Sequence, residues 1–169
     1  METGKLLSLI AGIIVIIATF MLTWFTVGAA NAYGIGLIKN ISTYFTDADS
    51  IATSWGIPTF AIYIVGGCYL LFLTSGLLLL IGMKSRVIAI IGAFMPIALC
   101  IAIIFGSMDI PPNLIDYVGV FLDTEPLLPG IIPFTLEIGP SNVATVALGT
   151  YILLAGGVLG FVSVFLERD

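Results

Sequence analysis

The sequence predicts an all-α membrane protein, a bundle of four transmembrane helices with cytoplasmic N- and C-termini and two extracellular loops that hold short interfacial helices. Three observations support this fold class. Of the 169 residues, 60% are hydrophobic and 9% are charged, whereas a soluble domain carries about 25% charged residues. The chain also contains four long apolar runs, and its basic residues lie mostly beside the same ends of these runs. We expect a single domain over residues 1–169.

The four predicted spans contain no charged side chain and comprise residues 6–27, 58–83, 87–107 and 142–166. Each reaches the length of roughly 20 residues at which a helix crosses a ~30 Å hydrocarbon core. Helix is required because lipid cannot satisfy backbone N–H and C=O groups. Pro96 lies in the middle of the third span, where a proline removes a hydrogen bond and predicts a kink.

The basic residues set the predicted orientation of the spans. Lys5 precedes the first span and Arg168 follows the fourth. Lys84 and Arg86 lie between the second and the third. Because cytoplasmic loops carry an excess of Lys and Arg, we assign this side to the cytoplasm, which leaves Lys39 outside. The sequence therefore predicts a multi-pass protein of the cell membrane with both termini inside.

The first extracellular loop, residues 28–57, has apolar side chains at helical spacing, which predicts a short helix lying in the membrane interface. Trp24 and Trp55 flank this loop, at the depth of the aromatic belt that anchors membrane proteins. Asn40 begins an Asn-Ile-Ser sequon. Its extracellular placement makes Asn40 a candidate glycosylation site.

The second extracellular loop, residues 108–141, is rich in proline and begins with apolar side chains that predict one or two further helical turns. Its second half is apolar, and an aqueous loop would not expose so much hydrocarbon. This half must therefore pack on its own bundle or contact a partner. The candidate partner-contact residues are Leu127, Leu128, Ile131, Ile132 and Phe134.

Small side chains recur every four residues along three of the spans, which places them on one face of each helix. Membrane helices associate through close packing of such residues. The small residues lie toward the cytoplasmic ends, so we expect the tightest helix contacts there and a more open bundle outside. They serve either packing within the bundle or contact with a second subunit. The candidate packing residues are Gly4, Ser8, Gly12, Ser85, Ala89, Ala93, Gly156 and Gly160.

The two helical hairpins, residues 1–84 and 85–169, are similar in sequence. Gly67-Cys-Tyr-Leu-Leu in the first aligns with Gly149-Thr-Tyr-Ile-Leu in the second, and the small residues of the first and third spans align at a nearly equal offset. Either the chain arose by duplication, which would give a parallel repeat, or apolar sequence of low complexity matches itself.

The sequence carries no recognisable catalytic chemistry. There is no histidine, and no acidic side chain lies inside a span, so the usual ligands of haem centres and the ionisable groups of proton relays are missing. Cys68 and Cys100 lie at similar depth on antiparallel spans, where they either fill small apolar sites or form a thiol pair for Cu(I) or electron exchange. We therefore predict no enzyme, no cofactor and no metal site. The net charge of −5 argues against nucleic acid as a partner.

Two short segments carry a resemblance to known proteins. Leu22-Thr-Trp-Phe at the end of the first span and Leu136-Glu-Ile-Gly before the fourth resemble a pattern in small uncharacterised four-span (tetraspan) membrane proteins of archaea. The order of spans and loops is also similar to the claudin layout. The claudin first-loop pattern with its two cysteines is absent, so the similarity to claudins is one of topology, and it implies no functional residues.

These observations favour a non-enzymatic tetraspan protein that acts by assembly, as a self-associating scaffold or an accessory subunit of a larger membrane complex. The expected partners are membrane lipid and either further copies of the chain or other membrane subunits. The alternative is a passive pore or carrier for a neutral or lipidic solute, which the kink at Pro96 and the polar pair Thr74-Ser75 within the second span favour.

Overall fold

The computed structural model describes residues 2–110, 112, 114–123 and 144–167. This part of the chain is mostly helical, as predicted, but it also contains a small sheet, so the all-α prediction is incomplete. The helices are α1 (Thr3–Met21), α2 (Gly34–Thr46), α3 (Ala48–Trp55), α4 (Thr59–Leu73), α5 (Ser75–Ile81), α6 (Arg86–Ser107), α7 (Leu114–Tyr117) and α8 (Leu148–Ser163). A 3-10 turn covers Gly119–Phe121, and the strands are β1 (Phe25–Val27), β2 (Ala30–Ala32), β3 (Leu122–Asp123) and β4 (Thr145–Val146).

Two of the described helices, α1 and α6, are long and apolar enough to cross a membrane. α3 and α4 pass the same test together, but they are bent by 105° relative to each other and count as a third span only if the bent pair is one span. α8 is apolar and shorter, with 16 residues. α6 continues through Pro96 as one helix of 22 residues.

The predicted second span, residues 58–83, is helical but interrupted at Thr74. α4 ends one residue before Thr74 and α5 begins one residue after it. The Thr74 hydroxyl donates a hydrogen bond to the carbonyl of Leu71 at 2.8 Å, a local bond of the kind by which threonine competes with the helical hydrogen bonds. The polar residues within this apolar run therefore mark a real break in the helix.

The helices of the first and fourth predicted spans are shorter than residues 6–27 and 142–166, because α1 ends at Met21, α8 begins at Leu148 and strands form beside these ends. β1 pairs antiparallel with β2 and β4, and β2 pairs with β3, giving the order β3-β2-β1-β4. Gly28 makes the tight connection between β1 and β2 with φ of 58°, a conformation that glycine adopts without steric cost. The sheet joins the end of α1 to the start of α8.

Trp24 is a core residue, and its predicted role in the aromatic belt is wrong. Its side chain is 0% exposed, and its indole N–H donates to the carbonyl of Ala18 at 2.8 Å. Its ring packs edge-on against Phe72 and Phe121, with centroids 5.3 and 5.0 Å away. In an aromatic-belt position the indole N–H would donate to water. Here the acceptor is a backbone carbonyl near the end of α1.

α1 and α6 each pack most extensively on α8, and α5 lies between α1 and α6 and packs on both of them. Small residues make the close approach possible: a Cβ added to Gly12 would lie 2.9 Å from the Gly76 carbonyl oxygen. α4 packs only loosely on α6. The bundle is therefore tight beside α5, near the Lys84 turn, and more open beside α4.

The candidate packing residues lie mostly inside these contacts. The Ser8 hydroxyl donates to the carbonyl of Leu79 at 2.7 Å and so joins α1 to α5. Ser85 is half-buried and precedes the first residue of α6. The buried members are Gly4, Ser8, Gly12, Ala89, Ala93, Gly156 and Gly160.

Candidate functional site

An apolar groove lies between α4 and α6, where the bundle is open. Its volume is about 300 Å³. Alanines on α6 face α4 across this space and leave it unfilled, whereas the residues on α4 are larger. The groove is lined on these two helices chiefly by Val65, Cys68, Phe72, Met95, Ala98 and Ala102.

The short helix α7 covers one end of the groove, which Tyr117 and Val118 line. The Tyr69 hydroxyl, on α4, donates a hydrogen bond to the Tyr117 carbonyl. On the other side, a Cβ added to Gly106 of α6 would lie 3.1 Å from the backbone nitrogen of Ile115, so α7 packs directly on the end of α6. Contacts to both walls thus hold this cover in place.

A polar cleft, called here the outer cleft, lies beside α7 and is lined by Ser54, Trp55, Pro112, Asp116 and Tyr117. Its volume is about 330 Å³. Tyr117 lines both the outer cleft and the apolar groove. A polar space and an apolar space therefore adjoin at one side chain.

A second cleft, the side cleft, adjoins the outer cleft and has a volume of about 300 Å³. Ser54 and Trp55 line both clefts. The remaining lining of the side cleft comes from α2, α3 and the 3-10 turn and includes Thr43, Tyr44 and Asp47. The two clefts therefore meet at Trp55, and the side cleft is less polar than the outer cleft.

The charges at the clefts are negative. Asp116 lines the outer cleft and Asp47 lines the side cleft, and none of the described residues lining either cleft is basic. Lys39 lies outside both linings, and its ammonium is paired with the Asp123 carboxylate at 2.5 Å. The clefts therefore present carboxylates, which accept hydrogen bonds and do not donate them.

Tyr44 adds a neutral hydroxyl to the side cleft. Its side chain is 5% exposed, and this burial raises its pKa to about 12, because a phenolate loses hydration when it is taken from water. The hydroxyl donates to the carbonyl of Ile62 at 3.4 Å, which joins α2 to α4. The ring also lies 6.4 Å from that of Trp55 between centroids.

Asn40 has a structural role that conflicts with its prediction as a glycosylation site. Its side-chain nitrogen donates to the carbonyls of Val120 at 3.0 Å and Leu122 at 2.9 Å. A glycan would occupy this same nitrogen and leave it one hydrogen atom at most. Modification of the folded chain would therefore break at least one bond between α2 and the second extracellular segment.

The two cysteines do not form a pair. Cys68 is exposed and lines the apolar groove. Cys100 is buried, and its thiol donates to the carbonyl of Thr150 on α8 at 3.2 Å. The alternative of a thiol pair fails because Cys68 faces the groove while Cys100 faces α8.

The residues that the sequence points to contribute unequally to this site. The candidate partner contacts Leu127, Leu128, Ile131, Ile132 and Phe134 lie outside the described residues. Leu114 and Val118, expected in a helical turn, are placed over the groove. The importance of Tyr117 and Asp116 was missed, since nothing in the spacing of either residue distinguishes it from an ordinary loop position.

Among the residues that the structure describes, no three Cys, Asp or Glu side chains form a group that would hold a metal ion. No protein-family model, curated protein or solved structure matches the chain. Function is therefore inferred from the groove and the two clefts themselves.

Proposed function

We propose that this protein is a four-span membrane protein that binds a membrane lipid without catalysing a reaction on it. The spans are α1, α4 together with α5, α6, and α8, with both termini in the cytoplasm as the positions of Lys5, Lys84 and Arg86 favour. One observation carries the proposal: an apolar groove and a polar cleft adjoin at Tyr117.

The order of these two spaces along the bundle matches the order of parts in a lipid. The groove follows α6 from Met95 to Ala102, within the more apolar of the two described helices that are long enough to cross a membrane. The outer cleft lies past the end of α6, beside Asp116. In the proposed orientation a lipid of the outer leaflet would place one chain in the groove and its headgroup in the cleft.

The centre of the bundle favours a site at the side over a pore through the middle. Val15 of α1, Leu79 of α5 and Leu153 of α8 are each 0% exposed, so close packing fills the space that a pore would need. A lipid would instead enter from the bilayer through the opening beside α4. Of the functions expected from the sequence, binding or carrying a lipidic solute is the one that this geometry supports best.

Assembly with further copies or other membrane subunits remains a prediction. It depends largely on the apolar second half of the second loop, which lies outside the described residues. Assembly and lipid binding are compatible functions, because a lipid held at the side of the bundle would form part of any contact with another subunit at that side.

The test is to count the lipids that the purified full-length protein retains in a mild detergent, by native mass spectrometry. Ala98→Phe places a ring in the groove, and Ala155→Phe makes the same change at an exposed position of α8. We expect the wild type and Ala155→Phe to retain about one lipid per chain. Ala98→Phe should weaken retention about tenfold, a factor that corresponds to ~1.4 kcal/mol.

Two results would overturn the proposal. The first is a wild-type protein that retains no lipid even when lipid is added back. The second is equal retention by Ala98→Phe and Ala155→Phe, with both variants folded by circular dichroism, which would place any bound lipid elsewhere on the bundle.

A further inference from the structure

We infer that the bound lipid carries a neutral sugar headgroup, held in the outer cleft and the side cleft where they adjoin at Trp55. This inference rests on the proposed lipid-binding function and adds the chemical class of the headgroup. It depends on three properties of the clefts: the sign of their charge, the hydrogen-bonding capacity of their lining, and their size around an aromatic ring.

The charge of the lining excludes an anionic headgroup. Asp116 and Asp47 place a carboxylate in each cleft, and the described lining contains no basic residue. A phosphate or sulfate would bring like charge to these carboxylates with no cation to offset the repulsion. Phosphate recognition uses Arg, Lys or a helix N-terminus. The described lining of these clefts contains neither Arg nor Lys.

The hydrogen-bonding groups of the lining favour a ligand that both donates and accepts. The carboxylates of Asp116 and Asp47 are acceptors only. The Ser54 hydroxyl already donates to the carbonyl of Ile51 at 2.8 Å, and the Tyr44 hydroxyl donates to Ile62, so both are acceptors toward a ligand. The Trp55 indole N–H and the Tyr117 hydroxyl, which line the outer cleft, can donate. A matching headgroup must therefore present several O–H donors together with acceptor oxygens.

Size and shape separate a sugar from a compact ammonium headgroup, which the carboxylates would also attract. The clefts have volumes of about 330 and 300 Å³ and adjoin at Ser54 and Trp55. A compact ammonium group would leave most of this space to water. A sugar ring has an apolar C–H face that packs on an indole ring, and hydroxyls on its rim that can hydrogen-bond to carboxylates in both clefts.

The experiment is a competition among lipids with identical dioleoyl chains, so that only the headgroup varies. Full-length protein in detergent micelles receives an equal mixture of monoglucosyl diacylglycerol, phosphatidylglycerol and phosphatidylcholine, and native mass spectrometry reports which lipids are bound. We expect the glucosyl lipid to exceed each phospholipid about tenfold. Asp116→Asn should reduce this preference about tenfold, since it removes a charged acceptor.

Asp49→Asn is the matched control. Asp49 is an exposed acid of α3 that lines neither cleft, and its carboxylate accepts a hydrogen bond from the Thr59 hydroxyl at 2.8 Å. Asparagine keeps an acceptor oxygen for this bond while removing the same charge. Headgroup preference in Asp49→Asn should equal that of the wild type.

Each other outcome contradicts the inference in a distinct way. Preference for phosphatidylcholine that Asp116→Asn abolishes would indicate an ammonium headgroup. Preference for phosphatidylglycerol, or equal binding of all three lipids with loss in Ala98→Phe, would refute the sugar headgroup and leave lipid binding in the groove intact. Failure to bind any of the three lipids would refute the sugar headgroup and the proposed function together.

Discussion

The rings of Trp55 and Tyr117 lie 4.3 Å apart between their centroids, with their planes tilted by 42°. Trp55 is the last residue of α3 and Tyr117 is the last residue of α7, so this contact joins the segment between α1 and α4 to the segment between α6 and α8. Both residues line the outer cleft. The cleft therefore exists only when the two segments pack against each other.

This contact predicts an energetic coupling between the two extracellular segments. Trp55→Ala, Tyr117→Ala and the double variant form a cycle in which the coupling should be about 0.5–1.5 kcal/mol, the range for aromatic pairs. The Tyr117 carbonyl that accepts the Tyr69 hydroxyl is retained in each variant. The free energy of unfolding in mixed detergent micelles measures this coupling.

The control for that cycle combines Trp55→Ala with Phe165→Ala. Phe165 is 74% exposed and follows α8, at the opposite end of that helix from the sheet. The two changes should add to within about 0.5 kcal/mol, as separate sites do. If the effects of Trp55→Ala and Tyr117→Ala on the free energy of unfolding were also additive, the two rings would be close together without their contact stabilising the outer cleft.

The long helices α1, α4, α6 and α8 could be predicted from the sequence because each lies within a long apolar run. The sheet could not, since its strands are two or three residues long and no alternation is visible at that length. Its pairing also joins residues far apart in the chain, such as Phe25 and Val146. A run that reads as continuous membrane helix can therefore end in a strand when the partner strand is remote.

The candidate site was predictable only in part, for a related reason. Trp55 was expected as a membrane anchor, which is reasonable for the residue alone, and no role was expected for Asp116. Their proximity depends on the hydrogen bond from Tyr69 to Tyr117 and on the fit of Ile115 against Gly106. Such tertiary contacts have no signature in a single sequence.

Asn40 should stabilise the extracellular part through hydrogen bonding and without a glycan. Asn40→Ala leaves the carbonyls of Val120 and Leu122 without their donor, which should cost about 1–3 kcal/mol in the free energy of unfolding. Ser42→Ala destroys the same sequon but keeps both bonds, and Ser42 is exposed. Its stability and electrophoretic mobility should equal those of the wild type.

One result with protein from a glycosylating host would contradict the hydrogen-bonding role of Asn40. If Ser42→Ala increased the electrophoretic mobility and lost as much stability as Asn40→Ala, a glycan would be the stabilising element. Treatment of the wild type with an amidase that removes N-linked glycans would then reproduce the loss.

Tyr44 should make stability decrease at alkaline pH. Its pKa is raised from 10.0 in the unfolded chain to about 12 in the folded protein, so the unfolded state releases its proton first as the pH rises. The stabilisation is fully present below about pH 10 and is lost toward pH 12, by at most ~1.4 kcal/mol per pH unit. Tyr44→Phe removes the ionisable hydroxyl and should therefore flatten the dependence of stability on pH in this range. The measurement is the free energy of unfolding between about pH 9 and pH 11.

Other groups titrate in the same range, so the difference between wild type and Tyr44→Phe is the informative quantity. Parallel curves for the wild type and Tyr44→Phe would mean that the Tyr44 hydroxyl is hydrated in the folded protein.

Gly12 should be required for the close approach of α1 to α5. A Cβ at this position would lie 2.7 Å from Leu80 Cδ2 and 2.9 Å from the Gly76 carbonyl oxygen. The leucine side chain can rotate away but the backbone oxygen cannot, so Gly12→Ala must separate the two helices. We expect a loss of about 1–3 kcal/mol in the free energy of unfolding, as for overpacked cores.

Gly67→Ala is the control, because a Cβ at Gly67 of α4 would meet no atom within 4 Å. This change should leave stability unaltered or raise it by up to about 1 kcal/mol, since alanine favours helix more than glycine does. The pair of variants also decides between the two roles expected for the small residues. If Gly12→Ala kept the stability of the monomer but lowered the native mass of the particle, Gly12 would belong to a contact between subunits, and the packing of α1 on α5 would not depend on it.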